Sequence, residues 1–511
     1  MCYTGQTKRR CVPVSGRHPA CGGTPITDSN HRLPRANVRR AVQFVSLAVF
    51  VLLTVAGVGA GFRWLPENLF SRLDPLVALT AIVASRTRLA FWAIAFVTVA
   101  ATVIFGRAWC GWVCPVGTLL DVMPARGGKK SALSRRWRLG KYVVLALVVA
   151  AALLGHLSPM VLDPVTVLTR PLQELARPFY GADGIGRNAG VEFGAESIRS
   201  VALLSLLPLV GVLALNSISR RTWCRTLCPL GGLLALLAKA PGIRRVVDAE
   251  KCTSCARCAR DCPTDAVERE QGFASSAAEC TVCLKCSDSC PSHAISFEVE
   301  LGQLLDPGYR PDRRDALIGV GASALSLATV MLPIRTAEAA EVLRPPSTDD
   351  KRLSQLCIRC GACFSACPAG ALRPSLSVTD PAGLWTPMLD ERPAICSLNC
   401  NRCARVCPTD ALHTPTQEER VALGLGSVAQ VDRSRCRAWY RAHSCMLCQS
   451  VCPINGAIIA ADRAQELGGG TSVSVPVVDP AQCVACNVCA TACPIHPTAI
   501  YAPKLPPGAG I

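Results

Sequence analysis

Residues 252–263 read Cys252-Thr253-Ser254-Cys255-Ala256-Arg257-Cys258-Ala259-Arg260-Asp261-Cys262-Pro263. Three cysteines two residues apart let a tightly turned loop aim three thiolates at one cubic [4Fe-4S] cluster. The fourth, just before a proline that ends the turn, points away toward a neighbouring cluster. Such phrases come in pairs, and the second member is Cys280, Cys283, Cys286, Cys290 and Pro291. The pairing makes Cys290 the expected fourth ligand of the first cluster and Cys262 that of the second. A zinc ribbon or a disulfide framework competes with this reading, but zinc sites seldom use the triplet, and thiols so crowded would strain as disulfides.

Four more phrases follow. Cys357, Cys360, Cys363, Cys367 and Pro368 are regular, whereas Cys396, Cys400, Cys403, Cys407 and Pro408 stretch the first gap by one residue. In Cys436, Cys445, Cys448, Cys452 and Pro453 that gap grows to eight residues, and Cys483, Cys486, Cys489, Cys493 and Pro494 are regular again. Longer first gaps are tolerated because only the final geometry at iron matters. Pairing neighbours gives three two-cluster units and six [4Fe-4S] clusters. Each unit is expected to be a small α+β fold whose cubes replace much of a hydrophobic core.

The chain is longer than one ordinary domain at 511 residues, and 50% hydrophobic residues with a mean hydropathy of +0.31 is high for a soluble protein so rich in loops. Membrane segments account for it. Candidate spans run from Ala41 to Gly61, Leu89 to Gly106, Tyr142 to about Leu157 and Val201 to about Ile218. The formal charge of +18 raises nucleic acid as a partner, yet the basic residues gather beside apolar runs, so no nucleic acid is expected. Arg126, Lys129, Lys130, Arg135, Arg136, Arg138 and Lys141 fill the loop between spans two and three, and Arg220, Arg221 and Arg225 follow span four. By the positive-inside rule both loops and the N-terminus face the cytoplasm.

An internal repeat fits this layout. Leu73-Asp74-Pro75 after span one matches Leu162-Asp163-Pro164 after span three, and both would face outward. At the inward ends Trp109-Cys110-Gly111-Trp112-Val113-Cys114-Pro115 matches Trp223-Cys224-Arg225-Thr226-Leu227-Cys228-Pro229. Two helical hairpins then form a pseudo-symmetric four-helix transmembrane unit. Cys110, Cys114, Cys224 and Cys228 are redox or metal candidates: pairs about one helical turn apart that can ligate iron, cycle as dithiols or simply pack.

Arg313-Arg314, an apolar run from Ala316 to Ile334 and Thr336-Ala337-Glu338-Ala339-Ala340 read as a twin-arginine export signal inside the chain, or as a fifth transmembrane helix. Either sends the rest outward, and the former permits cleavage after Ala339 and engages the twin-arginine translocase. The resulting multidomain layout is a disordered basic tail over 1–37, the four-helix unit over 38–240, a cytoplasmic two-cluster domain over 241–305, the signal or helix over 306–340 and an exported four-cluster region over 341–511. Tail residues Cys2, Cys11 and Cys21 match no ligand spacing. No covalent haem motif, dinucleotide fingerprint or Walker loop is present, so a lipid quinol is the natural electron donor.

Residues about 38 to 300 resemble NapH, the membrane subunit of a quinol dehydrogenase, in the four spans, both C-x3-C-P motifs and the two-cluster tail. Residues about 313 to 505 resemble the NapG and MauM group of exported four-cluster ferredoxins, through Cys357-Ile358-Arg359-Cys360-Gly361, the stretched second quartet, the long-gap third quartet and Cys483 to Pro494. The resemblance implies a fusion of two usually separate subunits, multi-pass in the bacterial cytoplasmic membrane. As the electron-transfer component of a quinol dehydrogenase it would take menaquinol or ubiquinol as substrate and pass electrons to a periplasmic cytochrome c or molybdenum reductase, as in periplasmic nitrate reduction. Alternatives are an accessory for maturation of a periplasmic redox enzyme, of the methylamine-utilisation type, and a redox sensor or oxidase assembly factor.

Overall fold

The computed structural model describes residues 35–56, 66–87, 92–123, 135–180, 195–239, 242–299, 350–367, 371–376, 383–389, 400–413, 428–464 except 442, and 472–501 except 485 and 487, with residues 321, 344, 345 and 348 singly. The tail cysteines, almost all of the signal or fifth-helix segment, and Cys396 lie outside the described residues.

The first half is a helical bundle. Its elements are α1 (Arg35–Ala56), α2 (Leu69–Arg72), α3 (Pro75–Ser85), α4 (Trp92–Phe105), α5 (Pro115–Val122), α6 (Gly140–Leu153), α7 (Pro164–Tyr180), α8 (Ala195–Ile218), α9 (Thr222–Thr226) and α10 (Pro229–Leu237). The two repeats seen in the sequence are helix starters. Asp74 and Asp163 precede Pro75 and Pro164 at the first turns of α3 and α7, while Cys114 and Cys228 precede Pro115 and Pro229 at those of α5 and α10. Proline at the first helical position loses no hydrogen bond, and a side-chain acceptor before it takes an orphan amide. Thus Asp74 Oδ1 accepts from Leu76 N at 2.7 Å, Asp163 Oδ2 from Thr166 N at 2.9 Å, and Cys228 Sγ from Gly231 N at 3.2 Å.

Phe50, Leu76, Val116, Val148, Met160 and Leu234 share one core, together with all four C-x3-C-P cysteines. Around it the bundle exposes apolar side chains on several helices: Phe44, Val45 and Leu52 of α1, Phe96 and Val97 of α4, and Leu203, Leu207 and Val210 of α8. Among the described residues, however, only Asn37–Val55 is long and apolar enough to cross a membrane. The other three expected spans are helices with shorter apolar runs. Both α4 and α6 have 14 residues, about 21 Å of helix against a hydrocarbon core of about 30 Å, and the apolar part of α8 is Leu203–Ile218. The multi-pass layout read from the sequence is therefore not carried by helix length.

Three small α+β units follow. In the first, β1 (Ile243–Val247) pairs antiparallel with β4 (Ile295–Val299), Val247 opposite Ile295, and the inner hairpin joins β2 (Val267–Glu268) to β3 (Ala274–Ser275). The middle unit carries β5 (Leu372–Pro374) against β6 (Pro387–Leu389). The last repeats the plan of the first: β7 (Gln430–Val431) pairs with β10 (Ile500–Tyr501), and β8 (Ile458–Ala464) with β9 (Ser472–Val478).

The first and middle units grip opposite ends of the bundle, and α6 marks both. At its start, Lys141 pairs with Glu279 of the first unit. Just beyond its end, Leu157 N donates to Ser354 O of the middle unit at 2.9 Å. Ile358 of the middle unit is part of the bundle core, and Arg359 Nη2 reaches Ser158 Oγ at 3.0 Å. At the other end Trp112 Nε1 donates to Val282 O at 2.9 Å, and Gly111 lies so close to the first unit that a Cβ there would stand 2.3 Å from Thr281 O.

Candidate iron-sulfur centres

Three of the cysteine loops turn through left-handed residues on both sides of the second cysteine. Ser254 and Ala256 flank Cys255 with φ of 55° and 58°; Val282 and Leu284 flank Cys283 with 48° and 62°; Arg359 and Gly361 flank Cys360 with 61° and 82°. Only the last of these six is glycine. The others carry a side chain where one is costly, about 1–3 kcal/mol for each strained residue, and such strain concentrates where function requires a set geometry. A second turn recurs three residues after the fourth cysteine, at Asp265, His293 and Asp410. It carries the next amide back to sulfur: Ala266 N lies 3.3 Å from Cys262 Sγ, and Ala294 N lies 3.4 Å from Cys290 Sγ. Amides aimed at thiolate sulfurs set the potential of a cluster held there.

These turns bring the cysteines together in exchanged sets. Cys252, Cys255 and Cys258 line a cavity with Cys290, while Cys280, Cys283 and Cys286 line another with Cys262; each is a solvent-open space of about 330 Å³. In the last unit Cys436, Cys445 and Cys448 share a cavity of about 380 Å³ with Cys493, and Cys483, Cys486 and Cys489 one of about 350 Å³ with Cys452. In the middle unit Cys357, Cys360 and Cys363 gather with Cys407. Cys367 and Cys403 pack around Phe364. Cys400 is half-buried, and its partner Cys396 lies outside the described residues.

The donor chemistry fits iron-sulfur clusters. Among the described residues no carboxylate or imidazole lines these four cavities, and no three His, Cys, Asp or Glu side chains stand close enough to hold a single ion. Thiols set apart in this way can span a cube. Burial pushes the Cys280 and Cys360 thiols up to about 12, so loading iron displaces protons. A bound cluster supplies reversible one-electron transfer; the chain supplies ligands, amide donors and a dry setting.

The C-x3-C-P cysteines have a different environment. Cys110, Cys114, Cys224 and Cys228 are all buried in the bundle core. Burial pushes Cys224 up to about 11 against the pull of Arg221. Two buried arginines cross between the repeats. Arg221 Nη1 donates to Cys110 O at 2.9 Å and its Nη2 meets Asp121 Oδ2 at 2.9 Å, with Arg39 on the same carboxylate; Arg107 meets Glu279 Oε2 at 3.2 Å. Sequence reasoning missed this network, although a signal was present: Arg107 and Arg221 each stand three residues before the first cysteine of a C-x3-C-P motif.

Comparison with known proteins agrees with this chemistry. A 4Fe-4S binding domain model matches residues 87–138 and 201–246, the segments holding the C-x3-C-P motifs; a second 4Fe-4S binding domain model matches 245–268, and a 4Fe-4S dicluster domain matches 356–411. No solved structure matches the chain. The methylamine utilization ferredoxin-type protein MauM of Methylobacillus flagellatus is 34% identical over 36% of this chain and 77% of its own length. The ferredoxin-type protein NapG of Haemophilus influenzae is 30% identical over 38% of this chain and 72% of its own length. MauN of Methylorubrum extorquens is 28% identical over 44% of this chain and 74% of its own length. With its thiol sets, its dicluster match and these relatives, the chain belongs to the MauM and NapG family of ferredoxin-type iron-sulfur electron-transfer proteins.

Proposed function

We propose that the chain oxidises a membrane quinol and passes the electrons through six [4Fe-4S] clusters to a periplasmic acceptor, a cytochrome c or a molybdenum reductase. In this reading a NapH-type membrane half is fused to an exported NapG/MauM-type half. The observation that carries it is the docking of one ferredoxin unit at each end of a bundle with an apolar waist. Thiol-bearing units at two ends of a bundle that exposes apolar side chains suit an electron path tied to a membrane donor. The four C-x3-C-P thiols, buried between Arg107 and Arg221 beside the first unit, are our candidates for a redox or metal relay from that unit into the bundle.

The test uses anaerobically purified protein in liposomes, reduced with a short-chain menaquinol analogue and followed by iron-sulfur EPR. Reduced clusters that a periplasmic cytochrome c then reoxidises are the expected outcome; clusters left oxidised by quinol within its potential range would overturn the reading. A second reading, an accessory role in maturing a periplasmic redox enzyme, is favoured by the identity to MauM. It calls for intact clusters without quinol-driven turnover.

A further inference from the structure

A cleft of about 440 Å³ opens where the far end of α1 meets α2, α7 and the middle unit. Phe50, Leu53 and Phe70 form its apolar side, the two rings edge to face at 5.1 Å. Cys360, a member of the first cysteine set of the middle unit, also lines it. Glu67, Asn68 and Gln173 are polar members of the same lining.

Two of these polar groups hold acceptors with nothing to accept from. Gln173 is 6% exposed, and its Oε1, like Asn68 Oδ1, is buried without a hydrogen-bond partner among the described residues. The Asn68 amide nitrogen is engaged by Val406 O at 3.1 Å, which leaves the oxygen as the free end. A buried acceptor left unsatisfied is unfavourable, so two beside one cleft call for a ligand with two donors. The flanking phenylalanines call for an aromatic ring between those donors. Below the cleft, α1 exposes Val45, Val49 and Leu52 on one face, an apolar track for a hydrocarbon tail.

We propose that this cleft is the head-group site of the quinol, its hydroxyls donating to Gln173 Oε1 and Asn68 Oδ1 and its tail lying along α1. The assignment rests on the quinol reading above and adds the place. Glu67 supplies the carboxylate of the cleft, suited to receive a hydroxyl proton; burial raises its pKa against the pull of Arg405 and Arg402.

The experiment titrates the full chain, loaded with clusters in lipid nanodiscs, with the fluorescent quinol analogue 2-heptyl-4-hydroxyquinoline N-oxide. Saturable quenching is expected, reversed by a menaquinol analogue. Gln173→Leu and Ser71→Leu, which removes an acceptor and fills the cleft respectively, should each weaken binding about tenfold or more at unchanged iron content. If Gln173→Leu loses iron, Ser71→Leu decides, because Ser71 lies on the bundle side of the cleft. Variants that bind like wild type, or a wild type that shows no saturable binding, would overturn the site. Quinol reduction of the clusters that is equal in wild type and both variants would overturn the site and leave the quinol reading standing. Clusters that quinol never reduces in wild type would remove that reading itself.

Discussion

Asp74 and Asp163, the N-caps of α3 and α7, meet carboxyl to carboxyl in the bundle core, both fully buried. The two Leu-Asp-Pro repeats thus place two caps side by side, each holding the start of its own helix. Burial raises the pKa of both, and for Asp74 the Asp163 carboxyl adds to it. Carboxyls whose folded pKa is raised contribute most stability below the unfolded value of 3.8 and lose it as pH rises through the folded value. Asp163→Asn, which keeps an acceptor and removes a charge, should therefore flatten the fall in stability as pH rises above 3.8. Asp163→Ala removes the cap as well and should cost about 1 kcal/mol more than the asparagine, read by chemical denaturation in detergent.

Docking of the first unit should depend on the absence of a side chain at residue 111. With Thr281 O 2.3 Å from the ideal Cβ, Gly111→Ala has to push the unit away from the bundle. The expected result is faster amide exchange and proteolysis at the segments around Trp112 and Val282, with the iron content of the unit unchanged. Protection equal to wild type would show that the close approach is not required.

That interface and the bundle beside it should both be acid-labile. Burial raises the pKa of Glu279, but Lys141 and Arg107 outweigh it and leave the carboxyl below its ordinary value of 4.5; burial likewise opposes Arg221 and Arg39 at Asp121, which ends below 3.8. Carboxylates with lowered pKa give stability that is fully present above their unfolded values and is lost as pH falls through the folded ones. Asp121→Asn should mimic acid at neutral pH, since it leaves Arg39 and Arg221 buried without their counter-charge, a loss of about 3–5 kcal/mol. Thermal unfolding at neutral pH measures it.

Exchange of the fourth ligand gives a sharper test of the cluster assignment. Because Cys290 lines the cavity of Cys252, Cys255 and Cys258, Cys290→Ser should perturb that cluster and spare the one beside its own triplet. Cys262→Ser should do the reverse. EPR of the isolated variants, with redox titration of each signal, separates the two; identical perturbations would contradict the exchanged sets.

Cysteine spacing alone determined the ferredoxin character of this protein, because ligand geometry at a cube is a local property of a dozen residues and their turn residues. Local sequence likewise sets the helix starts at Asp74-Pro75, Asp163-Pro164, Cys114-Pro115 and Cys228-Pro229, where a proline takes the first helical position. Tertiary structure decided what acts across distance. Arg107 lies 172 residues from Glu279, Asn68 lies 338 from Val406, and the cleft lined by Gln173 and Cys360 exists only once the middle unit has docked. No spacing rule encodes such contacts; they depend on which faces the packed helices leave open, and that is settled by burial of the whole core.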